Sequence, residues 1–480
     1  MSPHDADSSE RQTRPGHKLT CGRNQVTAPR YAPEARLSPA EQLEDGPRVA
    51  DLDTSQWPME LDAERYWSQE FADLERDRLW PHTWQIACHQ SEVPEPGYWF
   101  EYKLLDQSYL IVRGNDGVIR GFINACRHRG NALCEGHGHS ARITCPFHLW
   151  QFELDGRLRR ISDEDEEFPT RDKTNLGLIP VRTSLFGGFV FINPDLDAPS
   201  LDDYLGDDVK ALLEPYRMEE LIPLGFNVSQ SLAANWKAGI EAFIEQYHVH
   251  AIHPQVLTTS DDKDMHYGFF GDHDVFTVAY AVPSARLGNV TPERIVDGFG
   301  SMAEAIQGPG AINPMEALVT PYRGEDGKIA FPEGVTIRTL FQQANRAAAE
   351  ADGQDVSGMT ENQMSDAHSW LLFPNTTMVV RARETLLFRF RPDPSGDPNR
   401  CIFDVVNYQW VRPEDREKLA TPHSWVPEDQ SLGLVLDQDR EQIPRQQRGL
   451  RNRALKTVIL ARNEARIGHF HQTVNRYLGI

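Results

Sequence analysis

Between residues 63 and 79, Tyr66, Trp67, Phe71, Leu74 and Leu79 recur at helical spacing and predict an amphipathic helix that packs on a core. The period then changes. From Trp84 to about residue 193, short β-rich runs alternate with turn residues, as in 109–113, the turn Asn115-Asp-Gly117, 118–122 and 188–192. This pattern predicts a small all-β unit. After Pro194 helical and strand patterns mix, beginning with a helix over 201–213. Strands are expected at 368–373, 378–383, 386–391 and 401–411, in the order of an antiparallel sheet. The stretch 259–366 is broken by Gly and Pro, holds a helix candidate at 340–351, and is expected to line or lid a substrate site. Two late helices, 429–446 and 455–478, would cover the sheet. The fold class that follows is α+β, a small all-β domain beside a larger domain whose antiparallel sheet is covered by helices, with no internal repeat.

Length and composition sharpen this division. A chain of 480 residues exceeds one ordinary domain. Residues 1–50 are rich in Ser, Pro, Asp, Glu and Arg without apolar periodicity, and read as a mobile N-terminal arm. Residues 51–83 carry the N-terminal helix, expected to pack on the larger domain; 84–200 form the β-rich domain and 201–480 the larger one. The net charge of -22 argues against a nucleic-acid partner, which demands a basic face. Apolar runs such as 185–192 are too short to span a bilayer, and the polar first 20 residues resemble neither a secretory nor a twin-arginine leader, so no membrane is expected. Six sparse cysteines fit a reducing cytoplasm better than a disulfide framework.

Candidate chemistry concentrates in two places. The first is Cys126-Arg-His128 followed by Cys145-Pro-Phe-His148. A structural zinc site usually draws its cysteines from one short loop and its histidines from another. Here each half supplies one of each, which suits a [2Fe-2S] centre with two cysteines on one iron and two histidines on the other. Exchanging two thiolates for neutral imidazoles raises the reduction potential above that of an all-cysteine cluster. Gly130 and Pro146 suit tight turns around the sulfurs. Cys134, between the loops, reads as an ordinary thiol because the set of four is complete without it.

The stretches from Cys126 to Gly130 and from Cys145 to Phe152 resemble the two cluster-binding loops of the Rieske family. One departure stands out: Leu149 occupies the place after the second histidine where the family usually has Gly, so the loop conformation or its access to a redox partner is expected to differ.

The second place is the segment from Asn235 to Pro254, which reads as a helix ending in metal ligands. Glu241, Glu245 and His248 fall at i, i+4 and i+7, on one helical face. His248 and His253 are five apart, so both reach one ion only if the helix distorts or ends between them, as Pro254 suggests. Two imidazoles and one carboxylate on one face of an octahedral ion leave three positions open, which lets Fe(II) bind O2 beside a substrate. The segment is similar to the E-x3-E/D-x2-H-x4-H pattern of the Rieske non-heme iron oxygenases at Glu241, Glu245, His248 and His253. That resemblance implies a third ligand, an Asp upstream of a Q-x-G-L motif. Before Gln447-Arg-Gly-Leu450 the spacing selects Asp439, with Asp437 as alternative. His250 reads as a bystander, and Glu241 as a group that orients Lys237 or a ligand histidine, or simply a satisfied helix carboxylate.

The resemblance further implies the catalytic alpha subunit of an oxygenase, with a Rieske domain at 84–200 and a catalytic domain at 201–480. Such a subunit uses O2 as cosubstrate and takes NAD(P)H electrons through a separate reductase, with or without a ferredoxin. This chain has no convincing dinucleotide fingerprint of its own. The same resemblance implies a homotrimer, with or without a beta subunit, in which Glu245 bridges His248 to the cluster histidine His148 of a neighbouring subunit. The reaction would be monooxygenation, dioxygenation or demethylation. Aromatic residues including Phe243, Phe269, Phe270, Phe276, Phe341, Trp370 and Phe373 favour a hydrophobic ring-bearing substrate. The alternative is a quaternary amine such as carnitine or betaine, since Glu245 replaces the usual Asp. Arg381 and Arg383 would clamp a substrate carboxylate or form ion pairs. The acidic run 163–167 is either a docking face for a basic reductase or a solvated loop. A competing class is a Rieske electron-transfer protein without oxygenase activity, against which His248, His253 and Asp439 speak.

Overall fold

The computed structural model describes residues 43–44, 46–307 and 310–480. The expected mobile arm, up to residue 42, lies outside them. Its end is packed: Leu43 and Val49 are buried, and Arg48 forms a β-bridge with His266.

Two antiparallel sheet systems follow. The first orders Gln85–His89, Phe189–Asn193, Pro180–Phe186, Ile119–Ile123, Gln107–Arg113, Tyr98–Leu104 and His137–His139 side by side. A small sheet of Ile143–Thr144, Gln151–Phe152 and Leu158–Arg160 carries the second cysteine loop. Strand periodicity sends alternate side chains to different cores. From Gln107–Arg113, Tyr109 and Ile111 join the large core toward the second sheet, while Leu110 and Val112 join a separate core with Cys126, Cys145, Trp150 and Phe152. The cysteine loops therefore rest on the outer face of the first sheet.

The second sheet has eight strands in the order Tyr267–Phe270, His273–Val278, Ala367–Leu372, Thr376–Arg381, Glu384–Pro392, Cys401–Trp410, Leu221–Leu232 and Ser424–Trp425. All neighbours are antiparallel except the last pair. Both faces are covered. On Cys401–Trp410, Cys401, Phe403 and Val405 pack against the core formed with Trp236, Ile240 and the C-terminal helix residues Phe470 and Val474; Val406, Tyr408 and Trp410 pack with Leu205, Val209 and Leu212. The helix Leu201–Leu213 has the bounds the sequence predicts, although Gly206 at φ 77° interrupts its helical backbone.

Polar anchors join the two sheets. Arg389 donates to the carbonyls of Ile86 and Ala87, Arg391 donates to that of Lys103, and both guanidinium groups pair with buried Asp404. A shared apolar core and this triad draw the two sheets into one compact unit.

Three expectations change. The helix predicted over 63–79 begins only at Gln69, because Ser68 caps Phe71 N–H and residues Ala63–Tyr66 form a 3-10 turn. Residues Thr457–Ile459, expected in a late helix, form a strand against Glu60–Asp62, a pairing open to their β-branched side chains, and the helix starts at Ala465. The longest change concerns the segment after Asn235, described below. Among the described residues no helix is long and apolar enough to cross a membrane.

Candidate metal centres

The two cysteine loops have the same backbone form. The Cys126 carbonyl accepts from Gly130 N–H, and Cys126 N–H donates to Asn131 O; the Cys145 carbonyl accepts from Leu149 N–H, and Cys145 N–H donates to Trp150 O. In each loop the fifth residue is left-handed, Gly130 at φ 76° and Leu149 at φ 58°. Leu149 thus adopts the conformation that glycine favours rather than altering the loop, a state that costs an L-residue about 1–2 kcal/mol. What changes is the surface. Phe147 and Leu149 are 57% and 59% exposed on either side of His148.

Cys126 and Cys145 are both buried, and the rings of His128 and His148 lie 4.5 Å apart. His128 stacks on Trp150 at 5.0 Å, and its Nδ1 is a buried polar atom without a hydrogen-bond partner among the described residues. Burial, with the adjacent Cys145 sulfur adding to it, pushes the Cys126 thiol up to about 11. Burial also holds His128 below its ordinary value, toward neutral imidazole. Paired soft donors, a neutral imidazole and an orphaned ring nitrogen fit a [2Fe-2S] group, whose iron supplies the positive charge that thiolates require.

The second centre forms where a helix stops. Asn235 caps the helix Trp236–Glu241, which ends there, and residues 242–248 are irregular. The predicted single helical face is therefore corrected: Glu241 and Glu245 diverge. Glu241 receives the Tyr66 hydroxyl at 3.1 Å and meets His471 Nε2 at 2.8 Å, whereas Lys237 pairs with Glu75 at 2.5 Å. Glu241 accordingly orients neither Lys237 nor a candidate ligand histidine by hydrogen bond. Glu245 turns toward the opposite partner, taking His248 Nδ1 at 2.5 Å and His248 N–H at 3.2 Å, and Tyr247 N–H also bonds to it.

His248 and His253 flank the short helix Val249–Ile252, and His253 leaves helical geometry at φ -121°, ψ 51° before Pro254. This non-helical exit brings the two rings together, 5.2 Å between centroids. Asp439, buried on the helix Leu434–Leu450, completes the group: its Oδ1 is 2.8 Å from His253 Nε2 and 3.7 Å from His248 Nε2. One donor atom from each of the three lies within 4.8 Å of the others, which suits a single ion. Burial opposes protonation of His248, but Glu245 and then Asp439 outweigh it and raise its pKa.

Asp437, the alternative acid, is engaged elsewhere: it accepts from Leu432 N–H at 2.9 Å and Arg440 at 2.7 Å, and from the Ser431 hydroxyl. His250 stands outside the triad with its ring 5.7 Å from Tyr247. Arg381 binds Glu384 and the Tyr280 hydroxyl, and Arg383 binds Asp352, so both form ion pairs. Most of the aromatic residues named above pack in the interior. Phe243 lies against Phe388, Phe390 and Phe403, while Phe276, Trp370 and Phe373 are fully buried. In the acidic run, Glu164–Glu167 make one short exposed helical turn.

Sequence reasoning passed over several residues here. Gln438 Oε1 lies 2.9 Å from His253 Nδ1, Asn463 receives Gln246 N–H, and Glu464, whose carboxyl is pushed up by burial and by Glu245, stands near the His248 pair. For Gln438 the signal was its place beside Asp439. Asn463 and Glu464 arrive from a distant turn and left none.

The segments that carry these two groups of residues match known protein families. Residues 213–480 match the ring hydroxylating alpha subunit (catalytic domain) model, and residues 83–176 match the Rieske [2Fe-2S] domain model. The chain belongs to the ring-hydroxylating alpha-subunit family, with a Rieske domain preceding its catalytic domain. The carnitine monooxygenase oxygenase subunit of Acinetobacter pittii (strain PHEA-2) is 32% identical over 217 residues, 42% of this chain and 58% of that protein. The glycine betaine monooxygenase oxygenase subunit of Chromohalobacter salexigens is 36% identical over 196 residues, 40% of this chain and 42% of that protein. The chain thus spans about half the length of these curated relatives. A solved quaternary ammonium Rieske monooxygenase in complex with L-carnitine shares the fold with a TM-score of 0.61 at 19% identity, over 88% of this chain and 96% of that one.

Proposed function

We propose that this chain is the terminal oxygenase subunit of a two-component or three-component system, in which Cys126, His128, Cys145 and His148 hold a [2Fe-2S] cluster and His248, His253 and Asp439 hold a mononuclear iron. The observation that carries the reading is the convergence of those last three residues within reach of one ion, with Glu245 fixed on the first of them. When bound, the cluster supplies electrons singly and the mononuclear iron supplies O2 activation beside an organic substrate. The chain's own residues do the rest. Glu245 accepts the His248 Nδ1 proton and so turns Nε2 toward Asp439; burial of Asp439 and His253 keeps bulk water from competing for the ion. His148, between the exposed Phe147 and Leu149, is the point of approach for an electron donor or for a neighbouring subunit.

In this reading, residues 84–200 form the cluster domain and 201–480 the catalytic domain, in a cytoplasmic homotrimer. Glu245 bridges to His148 of the partner subunit, and NAD(P)H electrons arrive through a reductase, with or without a ferredoxin. The proposed substrate is a quaternary amine. The names of the relatives support this, as does the longer Glu245 carboxylate. Oxygen uptake with a surrogate reductase should rise with L-carnitine or glycine betaine more than with aromatic acids; the reverse order would return the assignment to ring-bearing substrates. Metal analysis should give about three irons per chain, falling to about two in Asp439→Ala with the cluster spectrum retained. Two irons in the unaltered protein would make it an electron carrier.

A further inference from the structure

The two candidate ligand histidines are backed by different chemistry. Behind His248 stands the Glu245 carboxylate, while behind His253 stands a neutral amide, with Nδ1 at 2.9 Å from Gln438 Oε1. Gln255 Nε2 donates to the same oxygen at 2.8 Å. In this pairing Gln438 Oε1 faces both donors, and that orientation suits Nε2 as the ligand atom, because a ring that binds an ion through Nε2 carries its proton on Nδ1 and needs an acceptor there. With oxygen presented, Nδ1 donates to Gln438, and Nε2, 2.8 Å from Asp439 Oδ1, is the nitrogen left to face an ion. The arrangement is local in sequence: Gln438 adjoins Asp439 on one helix, and Gln255 lies two residues after His253.

We propose that Gln438, oriented by Gln255, is a positioning residue that selects the tautomer of His253 and makes the mononuclear site electrostatically asymmetric. The proposal rests on the reading of His248, His253 and Asp439 as metal ligands. The carboxylates touching the histidines, Glu245 and Asp439, together match the charge of one divalent ion. A carboxylate at 438 would add a third negative charge and draw the His253 proton more strongly, increasing that ring's donor strength. An amide orients the ring without doing either.

The test is titration with Co(II), followed by its visible spectrum, in protein stripped of mononuclear metal but retaining the cluster. Gln438→Leu removes the acceptor and should weaken Co(II) binding about 10–100-fold, with the cluster spectrum and thermal midpoint unchanged. Gln438→Glu restores an acceptor oxygen and should recover most of the affinity while shifting the Co(II) bands, which a merely structural role would not do. Gln255→Ala should lie between Gln438→Leu and the unaltered protein. Binding by Gln438→Leu within about two-fold of the unaltered protein, or a Gln438→Glu protein no better than Gln438→Leu, overturns the proposal alone. Failure of the unaltered protein to take up Co(II) overturns the ligand reading as well.

Discussion

Glu241 is a buried acid whose ionisation should set the pH dependence of stability. It is surrounded by Tyr66 and neutral-leaning His471, with Lys237 and Arg65 nearby, and burial raises its pKa from 4.5 to about 8 despite the Tyr66 hydrogen bond and the two cations. Below pH 4.5 both the folded and unfolded chains hold the proton. Between 4.5 and about 8 the folded chain retains a proton that the unfolded chain has released, so stability falls as pH rises. One proton corresponds to about 1.4 kcal/mol per pH unit, and the whole window to an effect on the order of 3–5 kcal/mol. Glu241→Gln preserves the volume, an oxygen for Tyr66 and an N–H for His471, but cannot ionise. Urea unfolding of the variant and the unaltered protein at pH 5, 6, 7 and 8 measures the difference directly, since the titrations of all other groups largely cancel. The variant should gain on the unaltered protein at each step upward. A difference independent of pH would refute the reasoning, because Glu241 would then be ionised in the folded chain throughout.

Three further outcomes are expected. Glu75→Ala strands the fully buried Lys237 ammonium and should cost about 3–5 kcal/mol, whereas Glu75→Leu combined with Lys237→Met should recover most of it in the same unfolding assay. At position 149 the left-handed backbone should make Gly more stable than Ala by about 1 kcal/mol, the reverse of the usual order, as judged by thermal denaturation. Glu245→Gln should keep mononuclear iron but slow coupled product formation about 10–100-fold; unchanged turnover would remove Glu245 from the proposed bridge.

The sequence by itself determined the units of this protein. Period-two runs marked Gln107–Arg113, Ile119–Ile123 and Phe189–Asn193 in the first sheet and the four strands from Ala367 to Trp410 in the second, the run from Leu201 to Leu213 marked its helix, and ligand order at Cys126, His128, Cys145 and His148 marked a candidate cluster site, because metal chemistry constrains residue type and local spacing. Tertiary structure decided what spacing cannot carry. It ended the helix at Glu241 and turned Glu245 and Glu241 toward different partners. It brought Asp439 to His253 across 186 residues of sequence, and occupied Asp437 with Arg440 and the chain before its helix. It also showed that Leu149 keeps a glycine conformation, and that Gln438 backs His253. Each of these depends on where a backbone leaves regular geometry or on a contact between distant segments. Local hydrophobic periodicity records neither, because it reports which face of an element is buried and not what the opposing element presents to it.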